Sequence, residues 1–340
     1  MMAAMHPPLG VAIVAFNSAD VILPCLDSLF ASRGVAPRVA VTDNASDDST
    51  VELVRDWAAR RAASDPTFTF SERAAGSAAG RAATLTLLRS GVNGGYAYGV
   101  NAGLRLLLRD RSLDLFWVLN PDCVVAPETA ARYAVCGADG AFSLMSGRTV
   151  YCEEPVRIQT DGGRVSRWTG VCSSVNAGCP PGDTPLPDPA TLDFLTGGNL
   201  VASRRFIERA GLMTEDYFLY YEEVEWASRR GDLPLRLAEG AIVSHHGGTA
   251  IGSGTASRRA TPFANYFNTR NRIRFLRRNR PFAVPFGLAH ATAKAGQLML
   301  QGALAEAQAV LAGAFGLPPP AAIRQRIAPG PARALAFGAP

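Results

Sequence analysis

The run Leu115-Phe116-Trp117-Val118-Leu119 ends abruptly in Asn120-Pro121-Asp122-Cys123, and no other stretch constrains the chain as much. An apolar run of strand length halted by proline reads as a buried strand that must stop. Such a strand delivers Asp122 to the carboxyl edge of its sheet, where open α/β sheets bind their ligands. A carboxylate fixed there suits Mg²⁺ or Mn²⁺, which prefer oxygen and often take only one or two protein ligands beside substrate phosphates. A Pro-Asp turn or a helix cap is the plainer alternative, and this run alone does not separate the two.

The surrounding pattern supplies the sheet. Val11 to Phe16 and Val39 to Thr42 read as strands, and helices over Val21 to Phe30 and Val51 to Arg60 follow them, the first capped by Ser18 or Asp20. An Ala/Gly/Ser-rich insertion at 64–83 contains an edge strand near Phe68 and Phe70. Thr84 to Leu88 resumes the sheet and Tyr98 to Leu108 is a helix before the strand that carries Asp122. This alternation predicts an α/β fold with a mostly parallel, Rossmann-like sheet flanked by helices. From Ala141 to Leu192 the rhythm breaks into short β-like pieces, read as an irregular hairpin region covering the sheet edge. Helix near Arg204 to Ala210, an acidic helix start at Glu222, Glu223 and Glu225, and a strand ending at His245-His246-Gly247-Gly248 come next. Residues 256–317 read as a helical C-terminal extension to the 8–255 domain, and the Pro/Ala-rich residues 318–340 as a disordered tail.

With 340 residues the chain can bury a large core. Of 34 basic residues only Lys294 is a lysine, and arginines crowd the stretch from Arg258 to Arg280. That cluster is either a solvated helix face or a surface for anionic lipid or a pyrophosphate-bearing acceptor, and both readings stay open. The six cysteines show no paired C-x-x-C spacing and read as reduced, mostly buried thiols. The N-terminus has no signal-peptide pattern. Polar interruptions such as His290, Lys294 and Gln297 argue against a spanning helix in 282–317. The expected location is cytoplasmic, with peripheral contact at an anionic inner membrane face and no nucleic-acid partner.

Asp122, the acidic helix start and the late histidine stand beside a glycine-rich Asn93 to Gly103 segment. Together with Val11 to Asn17, Val41 to Asp47, Thr196-Gly-Gly-Asn199, Phe218 to Glu225 and Tyr266 to Asn271, they fall in one order over residues 10 to 275. In that order the chain resembles the family 2 glycosyltransferases, above all the bacterial rhamnosyltransferase-like and galactofuranosyltransferase-like members.

The resemblance implies a GT-A-type domain and an inverting, metal-dependent transfer from a nucleoside diphosphate sugar to a glycan or lipid-linked glycan acceptor in cell-surface polysaccharide synthesis. Rhamnose from dTDP-rhamnose is the donor it favours. It places Asn17, Asp43, Asn44, Gly95, Asn101, Asn120 and Asp122 at the donor, and Thr196, Gly197, Gly198, Asn199 and Glu222 at the acceptor. Glu223 becomes the base, although glutamate stands where the family has aspartate. The divalent cation, Mg²⁺ or Mn²⁺, is assigned to Asp122 and His245. A dinucleotide oxidoreductase is disfavoured because the first strand runs into Asn17-Ser18-Ala19-Asp20 rather than G-x-G-x-x-G. A sugar nucleotidyltransferase should carry an N-terminal glycine-rich triphosphate loop with a basic residue, and none is visible. A noncatalytic glycan-binding or scaffold relative is the remaining alternative.

Overall fold

The computed structural model describes residues 7–77, 83–247 and 259–338. Arg258, Gly248 and the expected domain boundary at 255 lie outside the described residues. The first half alternates β1 (Pro8–Ala15), α1 (Ile22–Phe30), β2 (Ala36–Asp43), α2 (Thr50–Ser64), β3 (Phe70–Ala74), β4 (Leu85–Arg89), α3 (Tyr96–Leu107) and β5 (Leu115–Leu119). Its five strands are parallel, in the order β3-β4-β2-β1-β5. Successive residues of β1 enter opposite cores: Val11 and Ile13 join Cys25, Leu26 and Trp57, whereas Ala12 and Val14 join Val100 and Leu104. Helices cover both faces, so these strands tolerate no polar alternation and read as continuous apolar runs. Neither Ser18 nor Asp20 caps α1. Ser18 Oγ turns back to Phe16, and the helix opens after Val21, whose N–H and that of Ile22 donate to the Ser18 carbonyl.

The second half contains β6 (Cys123–Val125), α4 (Thr129–Cys136), β7 (Leu144–Tyr151), β8 (Ile158–Thr160), β9 (Gly163–Val165), β10 (Cys172–Ser174), β11 (Asn199–Ser203), α5 (Arg204–Ala210), α6 (Glu222–Ser228) and β12 (Arg236–His245). It extends the sheet as β5-β11-β7-β12-β6. β11 runs antiparallel to β5 and β7, and β12 parallel to β7. This corrects the expectation for 141–192, because β7 is an interior strand rather than an edge cover. Its polar residues hid it, yet each is satisfied inside: Ser146 Oγ donates to the Asn199 carbonyl at 2.7 Å, and Arg148 grips Asp161 through Nε at 3.0 Å and Nη2 at 2.8 Å. Only β8 and the antiparallel β9–β10 pair resemble the expected hairpins. Of the six free cysteines, only Cys25 and Cys123 are buried, fewer than expected.

Beyond residue 259 come α7 (Pro262–Asn279), α8 (Val284–Leu300), α9 (Leu304–Phe315), α10 (Ala321–Gln325) and α11 (Pro331–Phe337). Within the segment expected as a disordered tail, the described residues 318–338 are folded. Ile323, Ile327, Ala332 and Ala336 bury themselves against Phe263, Tyr266, Phe267 and Phe218, and removing that apolar area from water orders a Pro-rich stretch whose local pattern is weak. The arginine cluster also divides. Arg270 and Arg272 are buried, and Arg278 pairs with Asp216 through Nη1 at 3.0 Å, so the stretch is not one solvated face.

Candidate active site

β5 ends at Leu119, and the chain turns through Asn120 and Pro121 to place Asp122 immediately before β6. β12 is antiparallel to β6 and ends at His245, opposite Cys123. Two strand ends thus bring Asp122 Oδ1 within 3.1 Å of His245 Nε2. Asn120 Nδ2 lies 3.3 Å from the same nitrogen, and Gln159 Oε1 on β8 lies 2.7 Å from His245 Nδ1. With Nδ1–H donating to Gln159, the ring is oriented with Nε2 facing Asp122: protonated, Nε2–H donates to the carboxylate, and deprotonated, its lone pair is open to a metal. Burial pushes the Asp122 carboxyl up, but the hydrogen bond and charge of His245 outweigh it and leave Asp122 below the usual carboxylate range.

Asp122, Cys123 and His245 offer three ligand atoms within 4.8 Å of one another. Burial, then the neighbouring Cys25 and Asp122, raises the Cys123 thiol far above its ordinary value in the absence of a metal, and a soft sulfur is a poor match for hard Mg²⁺ or Mn²⁺. One carboxylate and one imidazole of fixed orientation remain as the preferred pair. That donor set fits Mn²⁺ or Mg²⁺ when phosphate oxygens complete the shell.

Across a glycine pair from this site stand the acidic residues of α6. A Cβ on Gly198 would approach Asn120 Nδ2 to 3.0 Å and His245 Cε1 to 3.6 Å, whereas a Cβ on Gly197 would meet the Glu223 side chain at 3.6 Å. Adjacent glycines therefore face the two halves of the site. Tyr96 bridges them, its single O–H lying between two acceptors, Asn120 Oδ1 at 3.0 Å and the Gly197 carbonyl at 2.8 Å. Burial and the charges of Glu223 and Glu222 hold the Tyr96 phenol well above its ordinary value, so it remains an O–H donor.

α6 is reached through a strained approach. Phe218, Tyr220 and Tyr221 have φ of 66°, 71° and 73°, a left-handed conformation that costs bulky residues about 1–3 kcal/mol each. Asn271 on α7 compensates: its Nδ2 donates to the carbonyls of Tyr217 at 2.8 Å, Leu219 at 2.6 Å and Tyr220 at 3.0 Å. Arg270 Nη2 donates to the Tyr217 carbonyl at 2.7 Å and Nη1 to that of Ala336. From the other side the Tyr96 N–H donates to the Phe218 carbonyl at 2.7 Å.

Glu223 is partly exposed with its side chain beside Gly197, and burial raises its carboxyl above the usual range. Glu222 is 1 % exposed and its Oε1 has no hydrogen-bond partner among the described residues. Burial, then the charge of Glu223, pushes it up to about 8, so it is a buried, proton-holding carboxyl without an open acceptor face. Glu225 is tied to Arg229 at 3.0 Å and to Thr214 at 2.8 Å.

The remaining expected residues divide into two groups. Asn17, Asp43 and Asn44 lie at the carboxyl ends of β1 and β2, as a donor cleft requires. Asn17 Oδ1 accepts from the Asp47 N–H at 3.0 Å, Asp43 pairs with Arg89 Nε at 3.1 Å, and Asn44 Nδ2 donates to the Gly95 carbonyl at 2.8 Å. Gly95 supports the strained loop, since a Cβ there would strike the Phe218 carbonyl at 2.3 Å. Two residues do not reach the cleft. Asn101 is buried in α3 and exchanges hydrogen bonds with the Met213 backbone at 2.8 and 3.1 Å. Asn199 is fully buried in β11, accepting from Trp117 Nε1 at 2.9 Å and Tyr133 OH at 2.8 Å. Both are polar core ties, whose amides serve the fold. Thr196 stays partly exposed beside the glycine pair. Sequence reasoning gave no role to Tyr96, although it stands inside the glycine-rich segment, and none to Gln159, for which the local pattern holds no signal.

A mostly parallel mixed sheet, helices on both faces and an aspartate–histidine pair at the carboxyl edge define a GT-A architecture, and solved structures share it. The mannosyltransferase PcManGT of Pyrobaculum calidifontis, solved with GDP-Man and Mn²⁺, superposes with a TM-score of 0.52 at 15% identity, covering 92% of this chain and 87% of that one. GalNAc-T7, solved with UDP, GalNAc and Mn²⁺, gives a TM-score of 0.57 at 12% identity, covering 81% and 48%. Residues 10–134 match the family described as Glycosyl transferase family 2. The low-salt glycan biosynthesis hexosyltransferase Agl10 of Haloferax volcanii is 28% identical over 156 residues, 45% of this chain and 48% of that protein. The chain thus spans about half the length of this curated relative.

Proposed function

We propose that this protein is an inverting, divalent-metal-dependent glycosyltransferase that moves a hexose-class sugar from a nucleoside diphosphate donor to a glycan or lipid-linked glycan hydroxyl. The observation that carries the proposal is the glycine pair, with Gly198 facing Asn120 and His245 and Gly197 facing Glu223. Absent side chains leave room for a sugar between a group that binds the leaving diphosphate and a group that takes a proton. Glu223 accepts the hydroxyl proton as the acceptor oxygen attacks the anomeric carbon from the face opposite the diphosphate. Its raised affinity for a proton suits that task. Asp122 and His245 would hold the cation, which when bound offsets the charge growing on the departing diphosphate. Asn17, Asp43 and Asn44 contact the nucleoside end, and Tyr96 keeps the Asn120 amide and the Gly197 backbone in register.

The Mn²⁺ and nucleotide ligands of the two structural neighbours are consistent with this chemistry. Within it, the subgroup resemblance favours rhamnose from dTDP-rhamnose and a role in cell-surface polysaccharide synthesis. Nucleoside diphosphate release should be measured over a panel of dTDP-, UDP- and GDP-sugars with Mn²⁺, Mg²⁺ or excess chelator. Chelator-sensitive release with one donor supports the assignment, and its selectivity identifies the sugar. No release above the Asp122→Ala background with any donor, acceptor glycans included, leaves the noncatalytic reading in its place.

A further inference from the structure

The outer face of helix α8 carries an apolar strip flanked by only three exposed polar side chains, Thr292, Lys294 and Gln297. Gly287, Ala291, Ala295 and Leu298 form its buried side, yet Phe286, Ala289, Ala293 and Leu300 look outward with Lys294 as the only charge on the helix. At its start Trp168, Phe282 and Phe286 form an exposed aromatic group, with ring centroids 5.9 and 5.2 Å from Trp168. At its far end Met299, Leu300 and Leu304 are exposed together. Seventeen residues at 1.5 Å each make this apolar strip roughly 25 Å long. Contiguous apolar surface of that extent marks an interaction site.

Charge selects the partner. Residues 259–338 carry 11 basic side chains and one acidic one, Glu306, whereas the whole chain is only +5; with Arg270 and Arg272 buried and Arg274 and Arg278 paired with Asp216, Arg259, Arg277, Lys294, Arg324 and Arg326 still lie exposed. Arg167 stacks over Trp168, and Arg277 is exposed at the end of α7. A second copy would bring the same positive body against itself. Aromatic side chains on a helix that lies flat, with cations around it, are what a membrane interface with anionic headgroups accommodates. We propose that the α8 face, anchored by Trp168, Phe282 and Phe286, docks this protein onto anionic membrane surfaces. No described helix is long and apolar enough to cross the bilayer, so the contact is interfacial. The docking face also adjoins the carboxylate side of the site: Trp168 precedes Gly170, whose carbonyl accepts from Tyr221 OH at 2.8 Å, and Tyr221 leads into Glu222 and Glu223.

The test needs no substrate, so it stands apart from the transferase assignment. Of the four tryptophans, Trp57, Trp117 and Trp226 are buried and Trp168 is 50 % exposed. Tryptophan emission should therefore shift to the blue on vesicles of phosphatidylglycerol and phosphatidylcholine, but not on phosphatidylcholine alone. Co-sedimentation with the anionic vesicles should weaken several-fold as salt rises toward 0.5 M, a concentration chosen to shrink the Debye length to about half its ~8 Å at physiological strength. The surface double variant Phe282→Ser/Phe286→Ser should bind about ten-fold more weakly or worse at unchanged thermal midpoint. Leu300→Gln, a second and independent change on the same face, should weaken it less. No binding to anionic vesicles at low salt overturns the proposal. So does full binding by the double variant, and so does a concentration-dependent dimer that this variant abolishes, which would give the face to a second copy.

Discussion

The two halves of the site are built differently. Asp122 and His245 hang from the ends of neighbouring antiparallel strands, β6 and β12, with ordinary backbone and a hydrogen-bonded frame of Asn120 and Gln159. Glu222 and Glu223 follow three residues in left-handed conformation and are held by a helix fifty residues downstream. The family match covers Asp122 but stops at residue 134, before either the histidine or the acidic pair. A sheet positions a ligand as a by-product of its own pairing, whereas the acidic helix start depends on tertiary support that can be removed without touching a reacting group.

The largest effect tests the sheet-borne half. Asp122→Ala should abolish transfer, by at least ~10³-fold, and lose metal-dependent donor binding with the fold intact, because Asp122 lies at a strand end. Calorimetric titration of donor with and without Mn²⁺ separates this from misfolding, and a fully active variant would dissolve the metal site.

Glu223→Gln strikes the other half. Turnover should fall about 10²- to 10⁴-fold while donor affinity holds, the pattern of a group that acts in the transition state. Equal loss of donor affinity in steady-state and binding measurements would move the base elsewhere. Gln159→Leu is intermediate: without an acceptor for Nδ1–H, His245 loses its orientation, and apparent Mn²⁺ affinity should drop about 10- to 100-fold. An unchanged metal titration would leave Gln159 as packing.

Asn271→Ala sharpens the contrast most directly. Three carbonyls lose their shared donor, so the approach to α6 should relax, lowering kcat about ten-fold with donor Kd unchanged. Stability should fall by about 1–3 kcal/mol, as expected when buried polar groups are left unsatisfied. If Mn²⁺ and donor binding weaken in parallel, the halves are mechanically one unit and the comparison fails.

The smallest effect is a pH dependence. The Glu222 carboxyl is raised by burial from 4.5 to about 8. An acid raised in the folded state keeps its full contribution below its unfolded value and loses it as pH rises through the folded one. Stability should thus decline from about pH 4.5 to 8, and Glu222→Gln should flatten the decline in a series of chemical-denaturation curves. An unaltered slope would assign the pH dependence to other groups.

Local pattern determined the parallel half, because a strand covered on both faces must be apolar throughout and its end must be marked by residues such as Asn120-Pro121. It also marked Asp122, an acidic cluster opening a helix and a histidine pair after a late strand, and the family resemblance then picked Glu223 and His245 from these. Where side chains satisfy one another over long separations, the pattern is silent. Interior β7 was hidden by Ser146, Arg148 and Thr149, each answered by a distant partner, and Asn101 and Asn199 look identical in sequence whether they meet a ligand or a core carbonyl. The folded tail, the orientation of His245 by Gln159 and the support of the acidic loop by Asn271 were likewise decided only in three dimensions. Hydrogen bonds and apolar contacts between residues 50 to 100 positions apart leave no periodicity along the chain, so only the tertiary structure could assign them.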